Sequence, residues 1–565
     1  MGVLMNKPIA IKFQGISKYF GNKVANKNIN LFVYKGEILS LLGENGSGKT
    51  TLMNMLSGIY YPDEGSIIIG TEEAYISSPQ DAFKYKIGMV HQHFKLVDVF
   101  TAAENIVLGT NDKFNLKEVN SRVLAIAQKY GFDIDITKKV HEMSVSEKQT
   151  VEIIKVLYRG ADILILDEPT AVLTPQEINK LFDILRKMRE DGKSIIIITH
   201  KLNEVMEISD RVAILRKGEY ITTVNTKDTN EKELTELMVG KKIDLKIERT
   251  ETDFNKPLLE IRNLSINGDD GSKKIDDVSF YIRGGEILGV AGIAGCGQKE
   301  LCEAIAGLRH IESGILAHKG ESLLGLPPKD IIKKGISMSF IPEDRLGMGL
   351  APSMSITDNV MLKSYNETPK YDANILESDN SFVKFLKKFQ ARFKHVIKMP
   401  FVNRKDARNH AKALIQRLSI VTPSTETPVR KLSGGNVQKV LVGREIDSNP
   451  NVIVTAYPVR GLDINSSYQI YDILNEQKKK GTGILFVGED LDVMLALCDK
   501  IMVLCHGKNM GVVHANKTTK EDIGLMMTGS LDLSEIKNKE YGKAKDSNLT
   551  EEQWQQLDNK EEENA

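Results

Sequence analysis

Gly43-Glu44-Asn45-Gly46-Ser47-Gly48-Lys49-Thr50 fits the spacing G-x-x-x-x-G-K-[ST], with a hydrophobic run at 38–42 before it and a helical pattern after it that opens with Thr51. Glycines so placed let successive backbone N–H groups turn inward and cradle phosphate oxygens at a helix N-terminus. Lys49 would then reach the outer phosphates of a nucleotide, and the Thr50 hydroxyl would ligate Mg²⁺. The bland alternative is a glycine-rich turn at a strand–helix junction, and the context on both sides argues against it. Further on, Ile163-Leu164-Ile165-Leu166-Asp167-Glu168 is a hydrophobic run ending in two carboxylates. Asp167 is expected to hold the metal and Glu168 to orient or deprotonate an attacking water. A strand ending in Asp-Glu is commonplace alone; after a phosphate loop it acquires this meaning. His200 follows the run 195–199, where a polar side chain would contact a γ-phosphate. A lone histidine is more often structural, so this role depends on its company.

The elements that must position these residues come from the rest of the chain. Its 565 residues imply two or more domains, each able to bury a real core. A hydrophobic content of 41% and a charged content of 27% exclude global disorder and fibrous repeats. Lys and Arg number 76 against 76 Asp and Glu, which argues against a nucleic-acid binder carrying a basic excess. Cys296, Cys302, Cys498 and Cys505 form no C-x-x-C pair and read as small buried hydrophobes. No apolar run approaches the roughly 18–20 residues that span a bilayer. The first eight residues lack an apolar signal region, so a reducing, cytoplasmic compartment is expected.

An internal repeat organises the whole. GEILSLLGENGSGKTTLMN from Gly36 echoes GEILGVAGIAGCGQKELCE from Gly285, an offset of 249. MSVSEKQTVEIIKVL from Met143 matches LSGGNVQKVLVGREI from Leu432 at an offset of 289, which also relates Pro169 to Pro458 and His200 to Glu489. The expected domains are therefore 8–244 and 257–530, joined by a polar linker at 245–256, with about 40 extra residues inside the second copy. Residues 531–565, rich in Glu, Lys, Asn and Gln, read as a disordered tail or a frayed helix. Apolar runs at 38–42, 163–166 and 195–198 alternate with amphipathic stretches, the pattern of buried parallel strands in an α/β sheet.

With these motifs assembled, the chain resembles an ABC-transporter ATPase subunit carrying two fused nucleotide-binding domains. The matching pieces are the phosphate loop, Gln92 in MVHQHF, LILDEPTA at 164–171, Thr199-His200 and, most discriminating, LSGGN at 432–436. The resemblance implies two tandem P-loop NTPase domains of ABC type. Each would have a mostly parallel sheet, an antiparallel β subdomain and a helical signature subdomain. It also implies that Phe20, in ISKYFG, stacks the adenine of ATP, and that Gln92 senses Mg²⁺ and a membrane partner; the plain alternative for Phe20 is an ordinary strand-edge aromatic.

The two copies have lost complementary parts. Gln298 and Lys299 stand where Lys49 and Thr50 do, Ala456 and Tyr457 replace Asp167 and Glu168, Glu489 replaces His200, and Glu343 appears at the Gln92 position. In the signature the loss is reversed: Ser433, Gly434 and Gly435 are intact, whereas the first copy has Ser144-Val145-Ser146-Glu147. Domains of the resembled family pair head to tail, each nucleotide lying between one copy's phosphate loop and the other's signature. That pairing implies one competent site, built from Lys49, Thr50, Gln92, Asp167, Glu168 and His200 with Ser433, Gly434 and Gly435 in trans.

PVRGLD at 458–463 and IPEDR at 341–345 resemble the fused ATPases of bacterial nucleoside and simple-sugar importers. His93-Phe94 after Gln92 favours the nucleoside branch, with a ribose or galactose importer as the alternative. The resemblance implies two integral-membrane permeases, an extracytoplasmic substrate-binding lipoprotein, no nucleic acid, and peripheral attachment to the cytoplasmic face of the membrane, with docking near 92–99 and at its counterpart after Glu343. Residues 381–398 form a basic amphipathic pattern, read first as a surface helix packed on its own domain and second as a lipid contact. Tandem ABC ATPases that act on ribosomes, or in DNA repair, are disfavoured by the short linker, the disabled copy and the absence of zinc cysteines or long coiled coils.

Overall fold

The computed structural model describes residues 7–531 apart from 22, 93, 111–115, 172, 241–246, 252–255, 269–270, 294, 341–344 and 365–403. His93, Glu343, the basic stretch 381–398 and the tail from 532 lie outside the described residues. The chain forms two compact units. The first is Met1–Lys246 with Asp463–Tyr468 and Thr519–Asp532; the second comprises Ile247–Leu462 and Gln469–Thr518.

In the first unit, Ile38–Leu42, Ile163–Asp167 and Ser194–Thr199 are buried along their whole length. Both faces of such strands must be covered, which is why they read as unbroken isoleucine and leucine rather than alternating residues. They belong to a six-stranded sheet in the order Glu219–Asn225, Arg211–Arg216, Ile38–Leu42, Ser194–Thr199, Ile163–Asp167, Ile87–Val90. The Glu219–Asn225 edge is antiparallel and the other pairings are parallel. The register aligns Leu42 with Thr199 and Asp167 with Ile198, so three strands end together. In open parallel sheets ligands bind beyond such carboxyl ends. A second, antiparallel sheet of four strands contains Ile9–Phe20 and Lys23–Tyr34. Ala102–Val107, Leu116–Tyr130 and Val145–Tyr158 form the helical part, sharing a core of Ile106, Val123, Val151 and Ile154.

The closing helix Lys520–Met527 groups with the first unit, where Gln176 Nε2 donates to the Glu521 carbonyl at 3.0 Å. Gly524 permits the approach: a Cβ there would lie 2.6 Å from Gln176 Oε1 and 2.9 Å from Pro175 Cδ.

The second unit repeats both sheets in the same strand order, with Ile287–Gly292, Gly483–Val487 and Val452–Ala456 in place of the three converging strands. One buried ion pair has drifted between the copies. Arg211 grips Glu37 through Nε at 3.0 Å and Nη2 at 2.8 Å, while Lys500 reaches the equivalent Glu286 at 3.5 Å. A lysine cannot reproduce the planar fork, and burial pushes the Glu286 carboxyl above its usual range. The four cysteines are free, and burial pushes the thiols of Cys296 and Cys302 up to about 12, so they behave as small hydrophobes. Among the described residues no helix is long and apolar enough to cross a membrane.

Candidate nucleotide-binding site

The glycine loop leaves the end of Ile38–Leu42 and enters the helix Lys49–Leu56. Gly48 has φ 96°, and a Cβ there would lie 2.5 Å from the Ala25 carbonyl oxygen, so no other residue fits this turn. Asn26 secures it, Nδ2 donating to the Gly48 carbonyl at 3.2 Å. Lys49 is buried and folds back on the loop, donating to the carbonyls of Gly43 at 2.6 Å and Glu44 at 3.0 Å. Burial lowers its ammonium pKa to about 8, against the pull of Glu168, Asp167 and Glu44. The buried Ser47 Oγ has no hydrogen-bond partner among the described residues. A buried orphan hydroxyl and a desolvated ammonium at one helix N-terminus are what a phosphate would satisfy.

Opposite the lysine, Asp167 ends its strand and hydrogen-bonds the Thr50 side chain. Burial and the neighbouring Glu168 push its carboxyl up to about 6, although Lys49 and Thr50 pull it down. An oxygen pair at Thr50 and Asp167, held at an electrostatic cost near a second carboxylate, suits a hard divalent cation. Glu168 takes a left-handed backbone, φ 49°, unusual for a residue other than glycine and of the kind found at functional positions. Its N–H donates to the Ile198 carbonyl at 2.9 Å, its Oε1 lies 3.0 Å from His200 Nδ1, and its Oε2 accepts from Gln92 Nε2 at 2.8 Å. The His200 bond holds the Glu168 carboxyl below its usual range, hence ionised near neutral pH.

Asp167 supplies a stability prediction. A carboxyl whose folded pKa is raised binds more protons folded than unfolded, so its contribution turns unfavourable as pH climbs from about 4 towards 6 and stays so above. Asp167→Asn, in the ligand-free chain at pH 7.5, is therefore expected to raise the Tm by about 2–4 °C. The gain should vanish at pH 4, and scanning calorimetry at the two pH values checks it.

The phosphate loop, Thr51, Asp167, Glu168, Gln92 and His200 thus gather at one end of one sheet. Phe20 does not join them through any described contact. It ends the strand Ile9–Phe20, packed edge-on to Tyr60 with ring centroids 5.2 Å apart. Ser433, Gly434 and Gly435 lie in the second unit, at the start of the helix Gly434–Asp447. There the Ser433 Oγ accepts from Asn436 Nδ2 at 2.8 Å and caps no backbone N–H. At the corresponding place in the first unit, Ser144 and Glu147 form a closed capping box, and Glu147 is ion-paired to Lys138 at 2.8 Å. That carboxylate already answers the positive end of the helix Val145–Tyr158.

Two supports escaped the sequence reading. Gln149 Nε2 donates to the Pro169 carbonyl at 2.6 Å, and Gln438 makes the same bond to Pro458. Each ties a signature helix to the turn that carries Glu168 or its counterpart. The signal was a glutamine at one register in both copies, SEKQ and GNVQ. Asn26 has no such signature.

A strand, glycine loop and helix around a buried lysine, with Asp167 and Glu168 across the same sheet, define a P-loop nucleotide-hydrolysing cassette, and the second unit repeats its topology. The profile of the ABC transporter family matches residues 26–171 and 275–456, and the chain belongs to that family. It is 41% identical to the guanosine import ATP-binding protein NupO of Bacillus subtilis, a match covering 94% of this chain and 99% of that one. Identity to the nucleoside import ATP-binding protein NupA of Lactococcus lactis is 38%, covering 93% and 99%. To the glucose import ATP-binding protein TsgD13 of Haloferax volcanii it is 37%, covering 94% and 97%. The chain is an ABC-type ATPase with two cassettes.

Proposed function

We propose that this chain energises nucleoside import through separate membrane permeases, using a single competent ATP site. That site combines the first cassette's Lys49, Thr50, Gln92, Asp167, Glu168 and His200 with Ser433, Gly434 and Gly435 of the second. The observation that carries the reading is the sorted asymmetry. One cassette keeps lysine, carboxylates and histidine beside a self-capped signature; the other keeps an open serine–glycine signature beside Gln298, Ala456 and Tyr457.

Lys49 leaves its loop carbonyls to bind phosphate oxygens, and the loop N–H groups and Ser47 complete the cradle. Thr50 and Asp167 would hold Mg²⁺, with Gln92 nearby, and the ion neutralises charge on the outer phosphates when bound. Glu168, kept ionised and oriented by His200, accepts the proton of the attacking water on a carboxylate oxygen. Ser433 and the N–H groups following it receive the γ-phosphate charge at a helix N-terminus. Because Gln92 holds Glu168, movement of the segment 92–99 against a permease would reach the base directly, which makes this segment the proposed docking surface. Phe20 offers the adenine a partly exposed aromatic face. A substrate-binding lipoprotein outside the membrane, and peripheral residence at its cytoplasmic face, complete the proposed assembly.

Cargo rests on the two nucleoside-importing relatives and on His93-Phe94. In cells carrying the complete transporter, unlabelled nucleosides at a hundredfold excess are expected to suppress uptake of labelled guanosine, with ribose and glucose without effect. Suppression by a monosaccharide would reassign the cargo.

A further inference from the structure

The second cassette keeps the fold of a phosphate loop without its cation. Gly295 and Gly297 have φ 88° and 102°, matching Gly46 and Gly48 at 80° and 96°. Gln298 sits where Lys49 does and is equally buried; its Nε2 donates to the Gly292 carbonyl at 3.2 Å, as Lys49 Nζ donates to Gly43. The residue at the Glu168 position is conserved in backbone and changed in chemistry. Tyr457 has φ 52° and donates its N–H to the Val487 carbonyl at 2.8 Å, reproducing φ 49° and the Glu168–Ile198 bond. From this shared backbone a phenol projects where the first cassette has a carboxylate, and its Oη lies 3.3 Å from Gln298 Oε1.

Two further groups hold the ring in place. Arg460 stands with its guanidinium carbon 5.8 Å from the Tyr457 ring centroid, and its Nε is 3.2 Å from a carboxylate oxygen of Glu489, the residue at the His200 position. Burial and Glu489 raise the phenol pKa, so the ring is neutral and its hydroxyl keeps the proton it donates to Gln298.

In the first cassette, the room between Lys49 and Glu168 is where the outer phosphates and the attacking water must fit. In the second, the equivalent side chains touch across that room. An entering triphosphate would have to break the phenol–amide bond and displace a half-buried aromatic ring packed on the core. It would then meet the Gln298 carboxamide instead of an ammonium, with the Glu489 carboxylate near the ring. Bringing a multiply charged group into a place where a carboxamide replaces the ammonium, and where the nearby Arg460 guanidinium is already paired with Glu489, is strongly unfavourable.

We propose that the Tyr457–Gln298 bridge closes the second phosphate loop to nucleotide, so that each chain holds one ATP, at the first loop. The proposal rests on the cassette reading alone and not on the composite catalytic site. Any conformational work done by the second cassette is then driven by ATP bound elsewhere, and its loop acts as a fixed packing element.

The test is a count. Equilibrium dialysis of the full chain with labelled ATP and Mg²⁺, in a Glu168→Gln background that prevents turnover, is expected to give one ATP per chain, and close to none once Lys49→Ala is added. Two per chain, or one retained after Lys49→Ala, overturns the proposal. Removing the bridge and restoring the cation with Tyr457→Ala and Gln298→Lys together is expected to raise the count to two. A folded double variant that still binds one overturns the bridge as the cause. The first comparison alters no residue of the second cassette and decides the count even if that variant fails to fold. Hydrolysis persisting in the Glu168→Gln chain would overturn the catalytic assignment above and leave this count untouched.

Discussion

Glu168→Gln is expected to lower steady-state ATP turnover of the assembled transporter by about 10³-fold, within the 10²–10⁴ range of a positioned general base, and to change ATP affinity by less than about threefold. The amide keeps the size of the side chain and can still meet Gln92 and His200, but it cannot take a proton from water. Lys49, the loop glycines and Thr50 are untouched, so binding persists. The carboxyl is held ionised by His200 in the native chain, and its left-handed backbone and bond to the Ile198 carbonyl fix where it points. The phosphate-release rate and the Kd for labelled ATP, measured on one preparation, separate the two effects. A variant with more than about a tenth of native turnover would show that another group serves as base.

The second large effect lies in the other cassette. Gly434→Val, which imports the residue found at Val145, is expected to reduce turnover by about 10²-fold or more, the cost typical of losing one preorganised donor to a developing charge. The isopropyl group would add bulk at the first residue of the helix Gly434–Asp447, next to Ser433. The mirror change, Val145→Gly, is expected to leave turnover within about twofold. Glu147 and Ser144 already satisfy each other there, and Lys138 neutralises the carboxylate. The comparison is informative because both substitutions fall at the same register of one repeated motif. Equal losses from both would mean that both signatures work.

The parts legible in the sequence are those written in short, contiguous code. The phosphate loop and the isoleucine strands each span a few consecutive residues, and the repeat shows as short contiguous segments matched at offsets of 249 and 289. The strand ends at Leu42, Asp167 and Thr199 align as the α/β pattern implied, and this brings Gln92, Glu168 and His200 within hydrogen-bond reach. What stayed hidden are contacts between residues far apart in the chain and unremarkable alone. Asn26 reads as a polar strand residue until the hairpin presents it to Gly48. Tyr457 and Gln298 each read as a loss, and only the fold turns two losses into a contact. Tyr60 beside Phe20 is of the same kind. The helix Lys520–Met527 falls within the second domain expected from sequence, 257–530, yet groups with the first unit and docks on Gln176, because Gly524 permits an approach that composition does not announce.

The most direct test of the central claim, one catalytic site completed by the second cassette's signature, is vanadate trapping followed by ultraviolet cleavage. Photoexcited vanadate held in place of the γ-phosphate oxidises and cuts the backbone it touches. The account predicts one trapped ADP per chain and cuts at two places, within the loop 43–50 and at 433–435. Cuts at 292–298 or at 144–146 would contradict it.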